Sequence, residues 1–275
     1  MRVAAVQLNS TDDKDRNLEV AERLVREAAR AGAQLIGLPE KWNVLGGTEA
    51  LHGGAEPLDG PTLSAVGAWA RELGVHVLAG SISEREPDRV NVFNTSTLIG
   101  PSGEIEAAYR KIHMFDVEVG GVSYRESAHE DPGDEIISGA ADGVEIGLTV
   151  CYDLRFPELY RALAVRGARL IAVPAAFTAT TGRDHWEVLL RARAVENQVF
   201  ILAPGQIGKA EPHYDSYGRS MIVDPWGVVL ATAPDSESYV VADLDLEAQD
   251  RIRARLPSLA HRRPEVYERG ARVPA

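Results

Sequence analysis

The sequence is poor in the residues that build covalent cross-links and metal centres. Cys151 is the single cysteine among 275 residues, so the chain cannot form an intramolecular disulfide or a cluster of thiolate ligands. The seven histidines include no His-Glu-x-x-His motif and no pair spaced three or four residues apart. That spacing would place two ligands on one helix face. We therefore expect no metal centre.

Positive charge is scarce relative to negative charge. The chain has 29 Lys and Arg against 41 Asp and Glu, which gives a net charge of −12 at pH 7. A surface of this sign repels nucleic-acid backbones and anionic lipid headgroups, so neither is an expected partner. No apolar run approaches the roughly 18 residues of a membrane-spanning helix, and the run after Arg2 is too short for a secretory signal. A cytoplasmic protein is expected.

Nucleotide-binding and serine-hydrolase motifs are also missing. Neither G-x-G-x-x-G nor G-x-x-x-x-G-K-[ST] occurs, and GQIGKA at 205–210 resembles the latter only superficially and is more typical of a turn. The G-x-S-x-G turn that presents a catalytic serine is absent. These absences argue against phosphate cofactors and a serine nucleophile, and we expect no cofactor.

The sequence does contain a regular alternation of strands and helices. Apolar runs at 2–8 and 35–39 predict strands, and the helical spacing of apolar residues over 17–33 predicts a helix between them. A helix over 61–73 and a strand over 75–81 continue the order. This alternation predicts an α/β fold.

The second half of the chain repeats this order. Each half carries a β-hairpin, closed by PSGE at 101–104 in the first half and by PWG at 225–227 in the second. We therefore predict one internally pseudo-symmetric domain. Three long segments, 41–60, 112–137 and 204–219, show no regular pattern. Loops of this length in compact domains are more often functional than idle, so we expect them to carry substrate specificity.

Cys151 lies where a strand over 144–150 ends and a helix from Pro157 follows. In an α/β protein this places it at the carboxyl end of a strand, the edge where such folds place their sites. The following N–H groups are natural donors to a developing oxyanion. Free cysteines are also among the most buried residue types, so position alone leaves a core side chain and a nucleophile as alternatives.

Two ionisable residues lie at other strand ends. Glu40 follows the strand at 35–39, and Lys111 closes the first hairpin. Each taken alone is typical of a solvated surface residue. Together with Cys151 they supply the groups that nucleophilic catalysis by a thiol needs. A carboxylate can take the thiol proton, and an ammonium can hold the developing negative charge.

Three motifs carry a resemblance to a known family. LPEKWN, YRKIHMFDVE and CYDLRFPELYRAL closely resemble the glutamate, lysine and cysteine signatures of the nitrilase superfamily of carbon–nitrogen hydrolases, in the family's order. The resemblance implies a four-layer α-β-β-α sandwich. It also implies a single carbon–nitrogen hydrolase domain over 1–275, with about 246–275 as a C-terminal extension.

The resemblance also implies roles for particular residues in a thioester mechanism. Cys151 is the expected nucleophile and Glu40 the general base. Lys111 and the backbone N–H of Tyr152 are expected to stabilise the oxyanion. Glu126, in SYRES, falls where the family has a second glutamate that orients the lysine; a plain loop carboxylate is the alternative.

Further segments resemble the Nit branch, which includes deaminated glutathione amidase and ω-amidase: HMFDVE, SYRES, AAFTATTG and SYGRSMIVDPWG. Both enzymes hydrolyse a terminal amide on a carboxylate-bearing skeleton. We expect Arg155 to bind that carboxylate, since guanidinium pairs with carboxylate through two parallel hydrogen bonds; the alternative is a salt bridge to Glu158 or Asp153. Arg219 stands where the branch usually has histidine, and would add a cation near the site.

The segment AFT at 176–178 is nearer the deaminated glutathione type than the ω-amidase type. Thr178 and Thr181 are expected to donate hydrogen bonds to the substrate; their alternative role is to cap a helix starting near His185. That helix, over 185–197, carries bulky apolar residues on more than one face, which is typical of a core helix. The resemblance implies instead that it helps form a homodimer or higher homo-oligomer.

The leading hypothesis is therefore an amidase that releases ammonia from a small carboxylate-bearing amide. The same three residues would also serve a carbamoyl hydrolase or a nitrilase. A non-catalytic binding or scaffold protein is a rival from another class, and intact Glu40, Lys111 and Cys151 argue against it. A thiol redox sensor lacks a resolving cysteine in this chain.

Overall fold

The computed structural model describes residues 1–212 and 214–267, with strands and helices in close alternation. The strands are β1 (Arg2–Leu8), β2 (Leu35–Gly37), β3 (His76–Glu84), β4 (Phe93–Ile99), β5 (Ile105–Arg110), β6 (Asp116–Val119), β7 (Val122–Arg125), β8 (Ser138–Ala141), β9 (Val144–Leu148), β10 (Leu170–Ala172), β11 (Phe200–Ala203), β12 (Gly205–Ala210), β13 (Tyr214–Tyr217), β14 (Met221–Val223), β15 (Val229–Thr232) and β16 (Ser238–Asp243). The α-helices are α1 (Lys14–Arg30), α2 (Thr48–Gly53), α3 (Pro61–Leu73), α4 (Pro157–Val165), α5 (Ala179–Asn197), α6 (Leu246–Arg255) and α7 (Pro264–Tyr267). Two 3₁₀ turns cover Glu126–Ala128 and Cys151–Arg155.

Two large sheets organise the chain. The first has the order β13-β12-β1-β2-β3-β4-β5, and β16 pairs with β1 as well. The second has the order β15-β14-β11-β10-β9-β8. Strands β6 and β7 form a separate antiparallel pair.

The predicted pseudo-symmetry is confirmed by the strand pairing. In the first sheet β1, β2 and β3 are parallel, and β4 and β5 then continue antiparallel. In the second sheet β9, β10 and β11 are parallel, and β14 and β15 continue antiparallel. Within these two runs of parallel strands, each connection between consecutive strands contains at least one helix, because the chain must return to the opposite edge of the sheet before the next strand begins.

Burial of both faces explains why the central strands appear in the sequence as continuous apolar runs. On β1, Val3 and Ala5 pack toward the second sheet and its helices, whereas Ala4 and Val6 pack toward α1 and α3. Both faces of this strand are therefore buried, as expected for parallel strands covered on both sides. The second sheet is covered in turn by α4 and α5. The layers run α-β-β-α, as the resemblance to the nitrilase superfamily implies.

Several predicted boundaries need correction. The first helix starts at Lys14 rather than at residue 17, because Asp13 accepts a capping hydrogen bond from the Arg16 N–H. The helix predicted from residue 185 starts at Ala179. The three long segments described as irregular contain α2, the β6–β7 hairpin and the β12–β13 pair. Their turn residues hid these short elements from periodicity.

The chain beyond β16 packs back onto the body of the fold. Gln249 in α6 is buried and its side-chain amide donates to the carbonyl oxygens of Arg169 and Gln198, at 2.9 Å each. The expected C-terminal extension reaches residue 275, and its last part, 268–275, lies outside the described residues. In the described ranges, no helix has the length and apolar character needed to cross a bilayer.

A tight approach between β3 and the end of β2 yields a stability prediction. Gly80 has φ +56°, and a Cβ there would overlap the carbonyl oxygens of Leu38 and Pro39, directly before Glu40. We expect Gly80→Ala to lower the free energy of unfolding by at least ~3 kcal/mol, because both backbone strain and overlap must be relieved. Urea unfolding measures this change.

Gly74 provides a matched control for that variant. Its φ is +66°, but a Cβ there would meet nothing within 4 Å. Gly74→Ala therefore reports the left-handed conformation alone, at about 1 kcal/mol. Equal losses for the two variants would contradict the proposed steric role of Gly80.

Candidate active site

Three strand ends meet at one cavity. Glu40 lies three residues beyond β2, Lys111 directly follows β5, and Cys151 lies three residues beyond β9. The first two strands belong to one sheet and β9 to the other, so both halves of the sandwich contribute. All three residues line a cavity of about 410 Å³, which suits a small organic molecule.

Cys151 stands on a strained turn. Its φ is +47°, a conformation that side chains with a Cβ rarely adopt and that costs on the order of 1–3 kcal/mol. The Cys151 N–H donates to the Pro174 carbonyl at 2.9 Å, which ties the turn to the end of the neighbouring strand β10. The turn directs the residue toward the cavity instead of continuing the strand.

Asp153 holds this turn in place, a role that sequence reasoning missed. It is fully buried and accepts hydrogen bonds from the Val150 N–H at 2.8 Å, the Tyr109 hydroxyl at 2.8 Å and His113 Nδ1 at 2.7 Å. The carboxylate thereby fixes the residues on both sides of Cys151. Its position two residues after the cysteine was the available signal, but the sequence does not show which groups would reach it.

Glu40 is buried and fully engaged. Its Oε1 accepts from Asn94 Nδ2 at 2.9 Å and lies 3.3 Å from Lys111 Nζ, and its Oε2 accepts from the Ala176 N–H at 2.7 Å. Asn94, another residue that sequence reasoning did not identify, anchors the carboxylate from β4. These contacts hold Glu40 in one orientation.

Lys111 is 1% exposed, and Glu126 binds it with both carboxylate oxygens, at 2.8 and 2.7 Å. Burial by itself would lower the pKa of Lys111, but the negative charges of Glu126 and Glu40 outweigh it and raise that pKa well above its ordinary value. Lys111 therefore stays an ammonium. The structure places the Glu126 carboxylate directly against the ammonium group of Lys111.

A second ion pair adjoins the first and was not expected from the sequence. Lys41 Nζ lies 3.2 Å from Glu126 Oε1 and 2.5 Å from Glu130 Oε1, and all three residues are buried. Burial by itself would raise the pKa of Glu126, but Lys111 and Lys41 outweigh it and hold that pKa well below its usual range. Lys41 directly follows Glu40, and that adjacency was the only signal in the sequence.

The surroundings of the thiol favour its protonated form. Burial raises the pKa of the Cys151 thiol well above its ordinary value, and the Glu40 carboxylate raises it further, while Lys111 opposes both effects. A thiol in this state is a weak nucleophile until a base takes its proton. Glu40 is the carboxylate beside it that can do so.

Arg155 lies in the cavity wall beside aromatic rings. Its guanidinium carbon is 5.1 Å from the centre of the Phe177 ring and 6.0 Å from that of Tyr152, and its Nη1 is 3.3 Å from His185 Nδ1. Within 1–212 and 214–267 no acidic side chain forms an ion pair with it, so the alternative of a salt bridge to Glu158 or Asp153 is wrong. The positive charge is available to the cavity.

Thr178 and Thr181 also line the cavity. Thr178 is the N-cap residue of α5, but its side chain makes no capping hydrogen bond; its hydroxyl lies 2.8 Å from the Thr181 hydroxyl. The capping alternative near His185 is wrong because α5 begins six residues earlier. The remaining wall comes from the long segments, including Gly47, Ser123 and Pro212.

Arg219 is not a cavity residue. Its guanidinium pairs with Asp235 at 3.0 Å, and its carbonyl accepts from Trp186 Nε1 at 2.8 Å. The expectation that it adds a cation near the site is wrong, because the turn after β13 carries its side chain toward Asp235 instead of into the cavity.

In the parts of the chain that are described, no three His, Cys, Asp or Glu side chains cluster in a way that could hold a metal ion.

A four-layer sandwich with a thiol, a carboxylate and an ammonium at converging strand ends has the architecture of the nitrilase superfamily. The family model described as carbon-nitrogen hydrolase matches residues 2–254, and the chain belongs to this family. Membership in this family makes it a hydrolase of carbon–nitrogen bonds other than peptide bonds.

Relatives and a solved structure agree with this assignment. The chain is 42% identical over 272 residues to a deaminated glutathione amidase of Homo sapiens, covering 96% of this chain and 83% of that protein. It is 38% identical over 268 residues to the omega-amidase NIT2 of Bos taurus, covering 97% and 96%. The crystal structure of Saccharomyces cerevisiae Nit3, a member of branch 10 of the nitrilase superfamily, is 31% identical with a TM-score of 0.85, covering 94% of both chains.

Proposed function

We propose that this protein hydrolyses the terminal amide of a small carboxylate-bearing substrate through a thioester on Cys151, with Glu40, Lys111 and Cys151 as its catalytic triad. The observation that carries this proposal is the convergence of these three side chains on one cavity. A deaminated glutathione amidase-like reaction is the leading candidate, since a relative at 42% identity carries that name.

The first half of the reaction uses Glu40 as a base. It takes the thiol proton while the Cys151 sulfur attacks the amide carbon, and the carbonyl oxygen becomes an oxyanion. Lys111 and the Tyr152 N–H stabilise that charge. Protonation of Glu40 weakens its 3.3 Å contact with Lys111, which leaves an ammonium N–H for the oxyanion. Glu126 meanwhile keeps the lysine in position.

The second half regenerates the thiol. When the tetrahedral intermediate collapses, the C–N bond breaks and Glu40 gives its proton to the departing nitrogen, which leaves as ammonia. Glu40 then takes a proton from the water that attacks the thioester. The C–S bond breaks, the acid is released and Cys151 recovers its proton.

Arg155, Thr178 and Thr181 are proposed to bind the rest of the substrate. The Arg155 guanidinium lies between aromatic rings and has no acidic partner in the described ranges, so it can pair with a substrate carboxylate. The two threonine hydroxyls supply neutral hydrogen-bonding groups on the same wall. This combination favours a substrate with a carboxylate and further polar groups.

The acyl-enzyme can be tested directly. Incubation with a carboxylate-bearing amide followed by acid quenching should give a mass increase equal to the acyl group, with ammonia and no carbon dioxide in solution. Because Cys151 is the only cysteine, a thioester adduct has one possible site. Cys151→Ala should lose the adduct and at least ~10³-fold in kcat.

Other outcomes separate the alternatives. Equal release of carbon dioxide and ammonia would identify a carbamoyl hydrolase, and turnover of nitriles in preference to amides would identify a nitrilase. A preference for ω-amides of simple 2-oxo acids would identify an ω-amidase. Wild-type turnover by Cys151→Ala would reject the thioester mechanism, and no turnover of any class would favour a binding or scaffold protein.

Substrate recognition by Arg155 gives a second test. Succinamate and butyramide differ chiefly in a terminal carboxylate against a methyl group. We expect Arg155→Gln to raise KM for succinamate by about 10–100-fold, the value of a charged hydrogen-bonded pair, and to leave KM for butyramide nearly unchanged.

Arg219 is the matched control, since its guanidinium pairs with Asp235 outside the cavity. Arg219→Gln should leave both KM values at the wild-type level. A parallel rise for both substrates in Arg155→Gln would show that the arginine maintains the shape of the wall and does not bind the carboxylate.

We further propose a cytoplasmic homodimer formed through α4 and α5. Val188 and Val195, two turns apart on α5, are 59% and 50% exposed, and Val165 at the end of α4 is 56% exposed. Trp226 is 61% exposed beside them, since Arg191 of α5 donates to the neighbouring Gly227 carbonyl at 2.8 Å. Exposed apolar patches of this kind mark protein interfaces.

Sedimentation velocity tests the homodimer. The wild-type protein should sediment with twice the 29.8 kDa mass of one chain, and Val188→Asp with Val195→Asp should shift it to the monomer. The charge would be buried without a partner if the two helices met. A wild-type monomer at all concentrations would reject the interface.

A further inference from the structure

The site holds two of the protein's four lysines. The sequence contains Lys14, Lys41, Lys111 and Lys209, and both Lys41 and Lys111 line the catalytic cavity while being buried. Lys111 has a clear task at the oxyanion. The mechanism above assigns no task to Lys41, although burying an ammonium is costly unless it is paired.

Lys41 is bound to the same carboxylate that holds Lys111. Glu126 Oε1 accepts from Lys111 at 2.8 Å and from Lys41 at 3.2 Å, while Oε2 accepts from Lys111 at 2.7 Å and from the Phe115 N–H at 2.7 Å. The carboxylate is thus fixed by four donor contacts. Loss of Lys41 would remove one contact and half of the positive charge around Glu126.

The backbone of Lys41 is itself unusual. Its φ is +48°, and its N–H donates to the Ser81 hydroxyl at 3.1 Å. A lysine in this conformation costs on the order of 1–3 kcal/mol, and such strain persists where the surrounding structure over-determines it. Here the strained turn takes the chain from Glu40 at the thiol to Lys41 at Glu126, so consecutive residues reach both parts of the site.

Counting charges shows what Lys41 contributes. Glu40 and Glu126 flank Lys111, and these three groups alone carry one net negative charge beside a thiol that must become an anion. Addition of Lys41 brings the sum to zero. We propose that Lys41 is a positioning residue that balances the charge of Glu126, so that the Cys151–Glu40 pair can lose a proton beside Lys111.

Glu130 is a counter-ion that offsets only part of the positive charge of Lys41. It is fully buried and faces Lys41, with His129 Nε2 3.8 Å from its Oε1, and its Oε2 has no partner in the described residues. Burial, aided by Glu126 and opposed by Lys41, raises the pKa of Glu130 to about 7. Near neutral pH it therefore carries less than a full negative charge.

The test measures the Cys151 thiol without using a substrate. Alkylation of Cys151 by iodoacetamide, followed by intact mass against pH, has one target because no other cysteine exists. The acid limb of the rate profile reports loss of a proton from the Cys151–Glu40 pair. Removal of a nearby positive charge makes that loss harder, so Lys41→Met should move the midpoint upward by about one pH unit. At a given pH on the acid side of the profile, a shift of one pH unit makes the alkylation of Cys151 roughly ten-fold slower.

Three further variants separate charge balance from folding. Lys41→Arg keeps the cation and should return the midpoint to within a few tenths of a unit of wild type. Lys41→Met with Glu130→Met removes both members of the pair, so it should recover melting temperature lost by Lys41→Met alone yet retain the shifted midpoint. Lys14→Met breaks a lysine–glutamate pair with Glu56 outside this cavity and should leave the midpoint unchanged.

The results distinguish this proposal from the proposed function on which it rests. A wild-type midpoint in Lys41→Met, or full recovery of the midpoint in the double variant, would overturn the role of Lys41. Neither result would affect the acyl-enzyme on Cys151. Absence of an acyl adduct in the wild-type protein, with the alkylation shift present, would instead reject the amidase mechanism and leave the charge balance standing.

Discussion

The cost of burying charge governs this site. Lys111 is almost completely buried. Without a charged partner, a lysine there would lose its proton or would destabilise the surrounding structure. Its contacts with Glu126 and Glu40 keep it charged. The same contacts keep the two carboxylates charged, so each group depends on the others. Cys151 lies at the edge of this network and takes its protonation state from it.

A network of this kind requires a rigid frame. Two residues at the site, Cys151 and Lys41, have positive φ without being glycine. Asp153 holds the first turn through three neighbouring groups, and Ser81 accepts from the N–H of the second. The strained turns sit on strand ends whose faces are both packed, and dense packing keeps them from relaxing. Strain at the site is therefore supported by the two-sheet core.

Local patterns in the sequence predicted much of this architecture. The strand–helix alternation, both hairpins and the repeat between halves are confirmed, because periodicity and turn residues act over short distances. The predicted starts of two helices were less accurate. Both α1, which follows the capping residue Asp13, and α5, which follows Thr178, begin several residues before their apolar pattern begins. The short α2 and the β6–β7 hairpin were not predicted, because turn residues flank them and so few residues carry no clear periodic pattern.

Residue chemistry and order along the chain were enough to predict that Glu40, Lys111 and Cys151 serve one kind of reaction. Their motifs carried that information because each combines a reactive group with the strand end that presents it. Only the tertiary structure decided which charges meet. Lys41 and Glu130 form an ion pair although they are 89 positions apart in the sequence. Arg219 was expected near the site, and only the structure shows that its side chain pairs with Asp235 instead. An ion pair depends on distance and burial, and neither is encoded by neighbours in the sequence.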